Sequence, residues 1–245
     1  MTTAELDDGV PRIAVKVSGD ALGDKNADCV VDGKILERLV EVLTKLNQEG
    51  VQAVVIVGGG NIARGRDLLA QGITQDAGDP VGMLATVQNA IMLGDVFEQR
   101  RQPVRVMTSV VMNDVAEPFN RKRGIRHMQK GRIVIIGGGI GKPKHSSDFA
   151  AAQMASELKC DRLIMAKNGV DAVYDKDPNR FPDAHAIESI TCRQFLSQGL
   201  EVCDATAITF CQTNKLQVQI VGIDDPWNIL RAAQGDDIGT FINPH

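Results

Sequence analysis

Short apolar runs alternate along the chain with longer segments in which apolar residues recur at helical spacing. Several of the runs are almost entirely apolar, which is typical of parallel strands that are buried on both faces of a sheet. This pattern predicts strands at residues 13–17, 51–57, 104–107, 132–136, 162–165, 217–221 and 240–242.

The segments between these runs carry helical patterns. Asp32 is suited to cap a helix whose leucines form one apolar stripe, and Gly50 is suited to end that helix. Two further helices are predicted over 84–100 and 147–158. Alternation of strands and helices favours right-handed crossovers, so we expect an α/β fold, a three-layer α/β/α sandwich with a mainly parallel central sheet. No internal repeat or obvious linker divides the chain, which favours a single domain over residues 1–245.

Composition narrows the class of protein. Of the 245 residues, 43% are apolar and only 4% aromatic, and the net charge is −4, so stacking platforms for nucleic acid are not expected. No apolar stretch approaches the roughly 20 residues that a membrane span needs. The acidic, polar start of the chain does not resemble a signal peptide. The five cysteines are scattered without a C-x-x-C pair, which favours free thiols in a reducing compartment. We therefore expect a cytoplasmic protein with no nucleic-acid or membrane partner.

Three glycine-rich turns each follow a predicted strand: residues 16–22 (KVSGDAL), 58–65 (GGGNIARG) and 137–151 (GGGIGKPKHSSDFAA). In open α/β sheets, ligands bind outside the carboxyl ends of the strands, so the three turns are expected to meet at one crevice. Glycine there lets backbone N–H groups approach an anion closely. With Lys16 and Arg64 attached, the turns predict a site for a polyphosphate.

Two familiar phosphate motifs do not account for these turns. A P-loop is absent, because position 136 is isoleucine and Lys142 is followed by Pro143. Residues 58–63 fit G-x-G-x-x-A, with Asp79 at a suitable distance for a ribose contact, but no strand-like run precedes Asp79. A dinucleotide fold is therefore disfavoured.

Phosphoryl transfer suits the residues better, since it needs positioning and charge neutralisation more than covalent help. Lys16 could bridge donor and acceptor phosphates, Arg64 could hold an oxygen, and Asp148 could orient Lys16 or a Mg²⁺-bound water. Taken singly, each is better explained as a surface charge or, for Asp148, as a helix cap.

The same segments resemble the bacterial uridylate (UMP) kinases of the amino acid kinase superfamily over nearly the whole chain. The matching stretches are KVSGDAL, VVIVGGGNIARG, GDPVGMLATVQNAI, VAEPFNRKRGIRHMQKGRIVI, MAKNGVDAVYDKDP and IGTFI. The resemblance implies an enzyme that phosphorylates UMP with ATP, and Mg²⁺ that is carried by the nucleotide phosphates with no direct protein ligand. It further implies an acceptor-binding lobe over about 10–155, an ATP-binding lobe over about 156–245, a homohexamer, and GTP and UTP as effectors.

By position, the resemblance implies roles for individual residues. Lys16, Arg64 and Asp148 would be catalytic. Contacts to ATP would come from Lys16, Val17, Ser18, Gly19, Gly60, Arg64, Asn168, Tyr174 and Asp177. Contacts to UMP would come from Gly59, Asp79, Gly139, Ile140, Gly141, Lys142 and Ser147. Arg105 and Arg132 fall where the family's GTP-responsive arginines lie. The basic run 121–132, which ends at Arg132, otherwise indicates a solvated helix face or a subunit contact.

The third turn departs from the family pattern G-T-G-N-P, two aromatics, S/T-T-D. Its glycine framework, Pro143 and Asp148 remain, but isoleucine stands in place of the threonine, and Ile140 cannot form a hydrogen bond. Lys142 and Lys144 would favour a more negatively charged acceptor if they face it, or they lie in solvent.

Three hypotheses remain open at this point. The chain is an ordinary UMP kinase with a variant acceptor loop, a related kinase for another pyrimidine nucleotide or phosphorylated metabolite, or a non-catalytic nucleotide- or anion-binding protein. The joint presence of Lys16, Arg64 and Asp148 argues against the third hypothesis. Asp79 and Gly59 favour the first over the second.

Overall fold

The computed structural model describes residues 9–23, 29–178 and 180–245, so the acidic segment 1–8 lies outside the described residues. The strands of the described chain are β1 (Arg12–Val17), β2 (Gln52–Val57), β3 (Val104–Thr108), β4 (Glu117–Pro118), β5 (Ile133–Gly137), β6 (Arg162–Lys167), β7 (Val173–Tyr174), β8 (Ala186–Ile187), β9 (Ser189–Thr191), β10 (Gln217–Gly222) and β11 (Thr240–Asn243). The helices are α1 (Gly33–Gln48), α2 (Gly65–Ala70), α3 (Gln75–Gln99), α4 (Arg121–Gln129), α5 (Ser147–Glu157), α6 (Cys192–Ser197), α7 (Ala205–Thr213) and α8 (Trp227–Gln234).

In the described residues, nine strands form one sheet in the order β4-β3-β5-β2-β1-β6-β10-β11-β9, and β7 pairs with β8 separately. Neighbours in the large sheet are parallel except β10 and β11. Val17 at the end of β1 lies opposite Val57 of β2 and Ala166 of β6. These central strands therefore end at one level, and the loops that follow them share one edge of the sheet.

The apolar core lies on both faces of this sheet. In β1, Ile13, Val15 and Val17 pack on the side of α1, α3 and α8, whereas Ala14 packs on the side of α4, α5 and α7. A strand that is covered on both faces needs no polar alternation. The predicted three-layer α/β/α sandwich with a mainly parallel sheet is thereby confirmed.

Every predicted strand is present, with ends that differ by at most two residues. The caps of α1 are also confirmed: Asp32 accepts a hydrogen bond from the Lys34 amide, and Gly50 takes a left-handed φ of 88°. The short strands β4, β7, β8 and β9 were not predicted, because two or three residues carry no periodicity.

Helix α3 begins at Gln75, well before the predicted start at residue 84. The early part contains Gly78, Pro80 and Gly82, which weaken the local helix signal. Its helical state confirms that no strand precedes Asp79, which excludes the dinucleotide arrangement.

In the described chain, no helix is both long and apolar enough to cross a membrane. The sheet runs through both predicted lobes, since β1 pairs with β6; the division into lobes stays a prediction.

Candidate functional site

The three glycine turns meet in a cleft of about 730 Å³ at the carboxyl edge of the sheet. The first two turns touch through bare backbone: a side-chain carbon added at Gly19 would lie 2.5 Å from the Gly60 nitrogen. Only glycine permits this approach. The third turn, after β5, forms the opposite wall and leads into α5, whose N-cap Ser146 accepts a hydrogen bond from the Phe149 amide at 3.0 Å.

A carboxylate between two ammonium groups lies in this cleft. Lys16 on β1 places Nζ 2.9 Å from Asp148 Oδ1, and Lys167 at the end of β6 places Nζ 2.6 Å from Asp148 Oδ2. The Lys16 contact is an ion pair whose angles do not suit a hydrogen bond. The Lys167 contact is both an ion pair and a hydrogen bond. The Asp148 side chain is only 12% exposed. A buried charge of this kind is stable only when it is paired.

The protonation states follow from this arrangement. Burial alone would raise the pKa of Asp148, but the charges of Lys16 and Lys167 outweigh it and hold that pKa well below its usual range. Burial would lower the pKa of Lys167, but the charge and hydrogen bond of Asp148 help to raise it. Asp148 is therefore a carboxylate and Lys167 an ammonium group at neutral pH.

A second ion pair lies across the first two turns. Arg64, the residue before α2, pairs with Asp20, and its Nε donates a hydrogen bond to Asp20 Oδ1 at 3.1 Å. The hydrogen bond to Asp20 is the main cause that raises the pKa of Arg64. The pair holds the guanidinium beside the Gly60 carbonyl, to which Nε also donates.

Helix α3 lines the cleft beside the third turn. Asp79 Oδ2 accepts a hydrogen bond from the Lys144 amide at 2.7 Å, which ties the third turn to the helix. Lys144 has a left-handed φ of 65°, a conformation that L-residues other than glycine rarely adopt.

The sequence matches a known protein family. The model of the amino acid kinase family matches residues 11–222. The chain belongs to the amino acid kinase family. Among its relatives in that family, the uridylate kinase of Bifidobacterium longum is 39% identical over 236 residues, covering 96% of this chain and 95% of the relative. The uridylate kinase of Xanthomonas euvesicatoria pv. vesicatoria is 43% identical over 232 residues, covering 94% of this chain and 95% of the relative.

The fold of this chain is also that of a solved structure. The UMP kinase of Bacillus anthracis superposes with a TM-score of 0.91 at 33% identity, covering 96% of each chain. The arrangement of strands and helices described above is thus that of a solved UMP kinase.

The structure brings most of the predicted site residues together. The cleft is lined by Lys16, Ser18, Gly19, Gly59, Gly60, Arg64, Asp79, Gly139, Lys142, Ser147, Asp148 and Asn168. Predicted residues that do not line it, within the described chain, are Val17, Ile140, Gly141, Tyr174 and Asp177, together with the effector candidates Arg105 and Arg132.

The side chains outside the cleft have other surroundings. Val17 is buried in the core, and the half-buried Ile140 packs against the core on the sheet face that α4, α5 and α7 cover. Hence the missing threonine hydroxyl at position 140 is replaced by an apolar contact. Tyr174 donates its hydroxyl hydrogen bond to Asp171 at 2.9 Å, and Asp177 lies in the exposed loop that follows β7.

The two effector candidates lie around one carboxylate. Arg105 Nε is 3.5 Å from Glu117 Oε2, and Arg132 contacts His127, whose other ring nitrogen is 3.2 Å from Glu117. Burial lowers the pKa of His127 despite Glu117. Helix α4, within the basic run, buries Ile125 and Met128, so only part of that run faces solvent.

Sequence reasoning missed Lys167 and Asp20. Lys167 lies directly after an apolar run at a strand's carboxyl end, the same position as the three glycine turns, and that signal was available. The pairing of Asp20 with Arg64 depends on contact between two turns, so no local pattern indicates it.

Proposed function

We propose that the protein is an ATP-dependent nucleoside monophosphate kinase that phosphorylates UMP to UDP by direct in-line transfer. The observation that carries the proposal is the Lys16–Asp148–Lys167 arrangement where the glycine turns meet. Two fixed ammonium groups at one point neutralise a group whose negative charge spreads over several oxygens, as in phosphoryl transfer. The uridylate kinases to which the chain is similar support UMP as the acceptor.

The chain needs no general base for this reaction. The phosphate of a nucleoside monophosphate has a second pKa near 6, so the attacking oxygen is already deprotonated at neutral pH. The low pKa of Asp148 agrees, since a carboxylate bound to two lysines is a poor proton acceptor. Its role is to hold Lys16 and Lys167 at a fixed separation around the transferring group.

For ATP, we propose contacts from Lys16, Val17, Ser18, Gly19, Gly60, Arg64 and Asn168, with Tyr174 and Asp177 at the adenosine end. Arg64 supports this assignment because Asp20 fixes its guanidinium at the edge of the second turn. Asn168 Nδ2 lies 3.5 Å from the Asp20 carbonyl oxygen, which places Asn168 beside the first glycine turn. Val17 is buried, so it would contribute through its carbonyl, which accepts the Gly58 amide at 2.8 Å and holds the first two turns together.

For UMP, we propose contacts from Gly59, Asp79, Gly139, Gly141, Lys142 and Ser147, with Ile140 contributing backbone only. Asp79 would accept the ribose hydroxyls through Oδ1, because its Oδ2 already accepts the Lys144 amide. The aromatic wall that the family places in this loop is represented by His145, stacked on Phe149 with ring centroids 4.7 Å apart. His145 lines the cleft and offers a flat face to a base.

Mg²⁺ enters with ATP in this proposal. Asp20, Asp79 and Asp148 lie in the lining, yet in the described chain no three or more candidate metal ligands come together. Mg²⁺ prefers to keep several waters and to bind through substrate phosphates. The residues fit an ion held by the nucleotide, with cleft carboxylates accepting hydrogen bonds from its waters. When bound, the ion neutralises charge on the phosphates.

We also propose a cytoplasmic homo-oligomer, with a hexamer as the family resemblance implies, and GTP and UTP as effectors acting near Arg105 and Arg132. Val81, Leu84 and Ile91 support self-association, since each is about 40% exposed and they recur at helical spacing on α3.

The direct test is ADP release from ATP and Mg²⁺ with UMP, CMP, dUMP, TMP, AMP and GMP in parallel. UMP is expected to give the highest kcat/KM, and Lys16→Ala is expected to abolish it. Turnover confined to CMP or TMP would refute UMP as the acceptor, and turnover with none of the six would refute the kinase assignment for nucleoside monophosphates.

A further inference from the structure

Helix α3 is in direct contact with two of the glycine turns. A side-chain carbon added at Gly59 would lie 2.8 Å from the Ala85 side chain and 3.0 Å from the Gly82 carbonyl oxygen. One added at Gly137, where β5 enters the third turn, would lie 2.8 Å from Val87 Cα. The second turn and the third turn therefore both rest on the same part of one helix.

Thr86 connects this helix to the third turn. Its Oγ1 accepts the Gly138 N–H at 2.7 Å and donates to the Met83 carbonyl at 2.7 Å. Because the bond to Met83 directs the hydroxyl hydrogen into the helix, a lone pair of Oγ1 faces the turn. Thr86 is 7% exposed, so the Gly138 amide would lose its partner with little access to water if the hydroxyl were removed.

Asn89, less than one helical turn further along, connects the helix to the second turn. It is 1% exposed, and its Nδ2 donates to the Gly58 carbonyl at 2.7 Å and to Asn61 Oδ1 at 2.7 Å. Asn61 donates back to Asn89 Oδ1 at 3.1 Å. Both amides are thus fixed in orientation.

We infer that Thr86 and Asn89 are positioning residues that set the separation of the second and third glycine turns. Neither lies among the groups that we assign to substrate contact or charge neutralisation. The second turn carries Gly59, Gly60 and Arg64, so Asn89 acts on both substrates, whereas Thr86 acts on the acceptor turn alone. The assignment of substrates to turns rests on the proposed function; the tethering of the turns does not.

The test compares Thr86→Val, Thr86→Ser and Asn89→Ala with the wild type. The control is Thr44→Val in α1, since the buried Thr44 hydroxyl has no hydrogen-bond partner in the described chain. We expect Thr86→Val to raise the KM for UMP about tenfold with the KM for ATP within about twofold, and Thr86→Ser to restore it. Asn89→Ala is expected to lower kcat and to raise both KM values.

Hydrogen–deuterium exchange of the unliganded protein gives a second readout that needs no turnover. Thr86→Val should speed exchange in a peptide that contains Gly138, with exchange in α1 and β1 unchanged, and Thr44→Val should not. Equal exchange at Gly138 in Thr86→Val and wild type would overturn the tethering, whether or not UMP proves to be a substrate. A lower kcat in Thr86→Val with both KM values unchanged would show that Thr86 does not position the third turn for UMP and serves the fold alone.

Discussion

Lys167 Nζ lies 2.6 Å from Asp148 Oδ2, although Lys167 ends strand β6 and Asp148 lies in the first turn of helix α5. Together with Lys16 on β1, this contact places two ammonium groups on one buried carboxylate. The parallel strands β1 and β6 end at one level, and α5 brings Asp148 to the same edge. The proposed chemistry thus follows directly from the strand register.

Replacement of Lys167 by methionine should lower kcat about 10²- to 10³-fold, the effect of removing one preorganised charge-stabilising donor. The substitution keeps the length of the side chain and removes its charge. Steady-state kinetics with ATP and UMP provide the measurement. Lys34→Met, at the exposed start of α1, serves as the control and should retain full activity. A kcat within threefold of wild type would show that Lys167 does not stabilise the transferring group.

Asp148→Asn should destabilise the fold at neutral pH by about 3–5 kcal/mol, because it leaves buried lysines without their counter-charge. The pKa of Asp148 is depressed in the folded state, so its contribution is complete above the unfolded pKa of about 3.9 and is lost as pH falls below that value toward the folded pKa. Urea unfolding from pH 7 to pH 3 measures the difference in unfolding free energy. A difference that already shrinks between pH 7 and pH 5 would contradict this assignment, and exposed Asp95→Asn serves as the control.

Arg64→Gln and Asp20→Asn should each raise the KM for ATP, because Asp20 orients the guanidinium that we assign to the ATP phosphates. The double variant should be less impaired than the sum of the singles, with a coupling energy of about 1 kcal/mol. The four proteins are compared by their KM for ATP at saturating UMP. Strict additivity would show that the ion pair does not orient Arg64 for binding.

Gly59→Ala should lower the unfolding free energy by about 1–3 kcal/mol, since the added carbon would overlap Ala85 and the α3 backbone. Gly33→Ala offers a matched control, because space is open around Gly33 at the start of α1. That control should be neutral or stabilise the helix by up to about 1 kcal/mol. Urea midpoints of the two variants test the contrast, and equal midpoints would show that the second turn is not closely packed on α3.

Native protein treated with iodoacetamide at pH 8 should be alkylated at Cys29 well before Cys203. Cys29 is exposed, whereas burial raises the pKa of Cys203 to about 12, so almost none of its thiolate is present. Mass spectrometry of peptides after timed quenching measures both rates. Rapid labelling of Cys203 without unfolding would contradict the buried position next to Met165.

The main strands could be predicted from the sequence because burial on both faces makes them apolar throughout. Lys16, Arg64 and Asp148 could be predicted because each adjoins a glycine turn. The start of α3 could not, because Gly78 and Pro80 weaken the local helix propensity, and tertiary packing, such as that of Gly78 against Leu68 of α2, overrides it.

The sequence also did not indicate which groups these residues contact. The resemblance implies that Asp79 contacts UMP, yet it gives no sign that one Asp79 oxygen accepts the amide of Lys144, 65 positions away. Contacts of that separation depend on the packed arrangement of turns, which periodicity does not encode.

In the proposed reaction, the γ-phosphate of ATP passes directly to UMP at the Lys16–Asp148–Lys167 centre. The most direct measurement follows ³²P from γ-labelled ATP in the presence of UMP and Mg²⁺, with nucleotides separated by chromatography. We predict that the label appears in UDP at an initial rate that Lys167→Met lowers about 10²-fold or more, with no label on the protein. Label that stays in ATP, or that accumulates on the protein before it reaches UDP, would contradict direct transfer between the nucleotides.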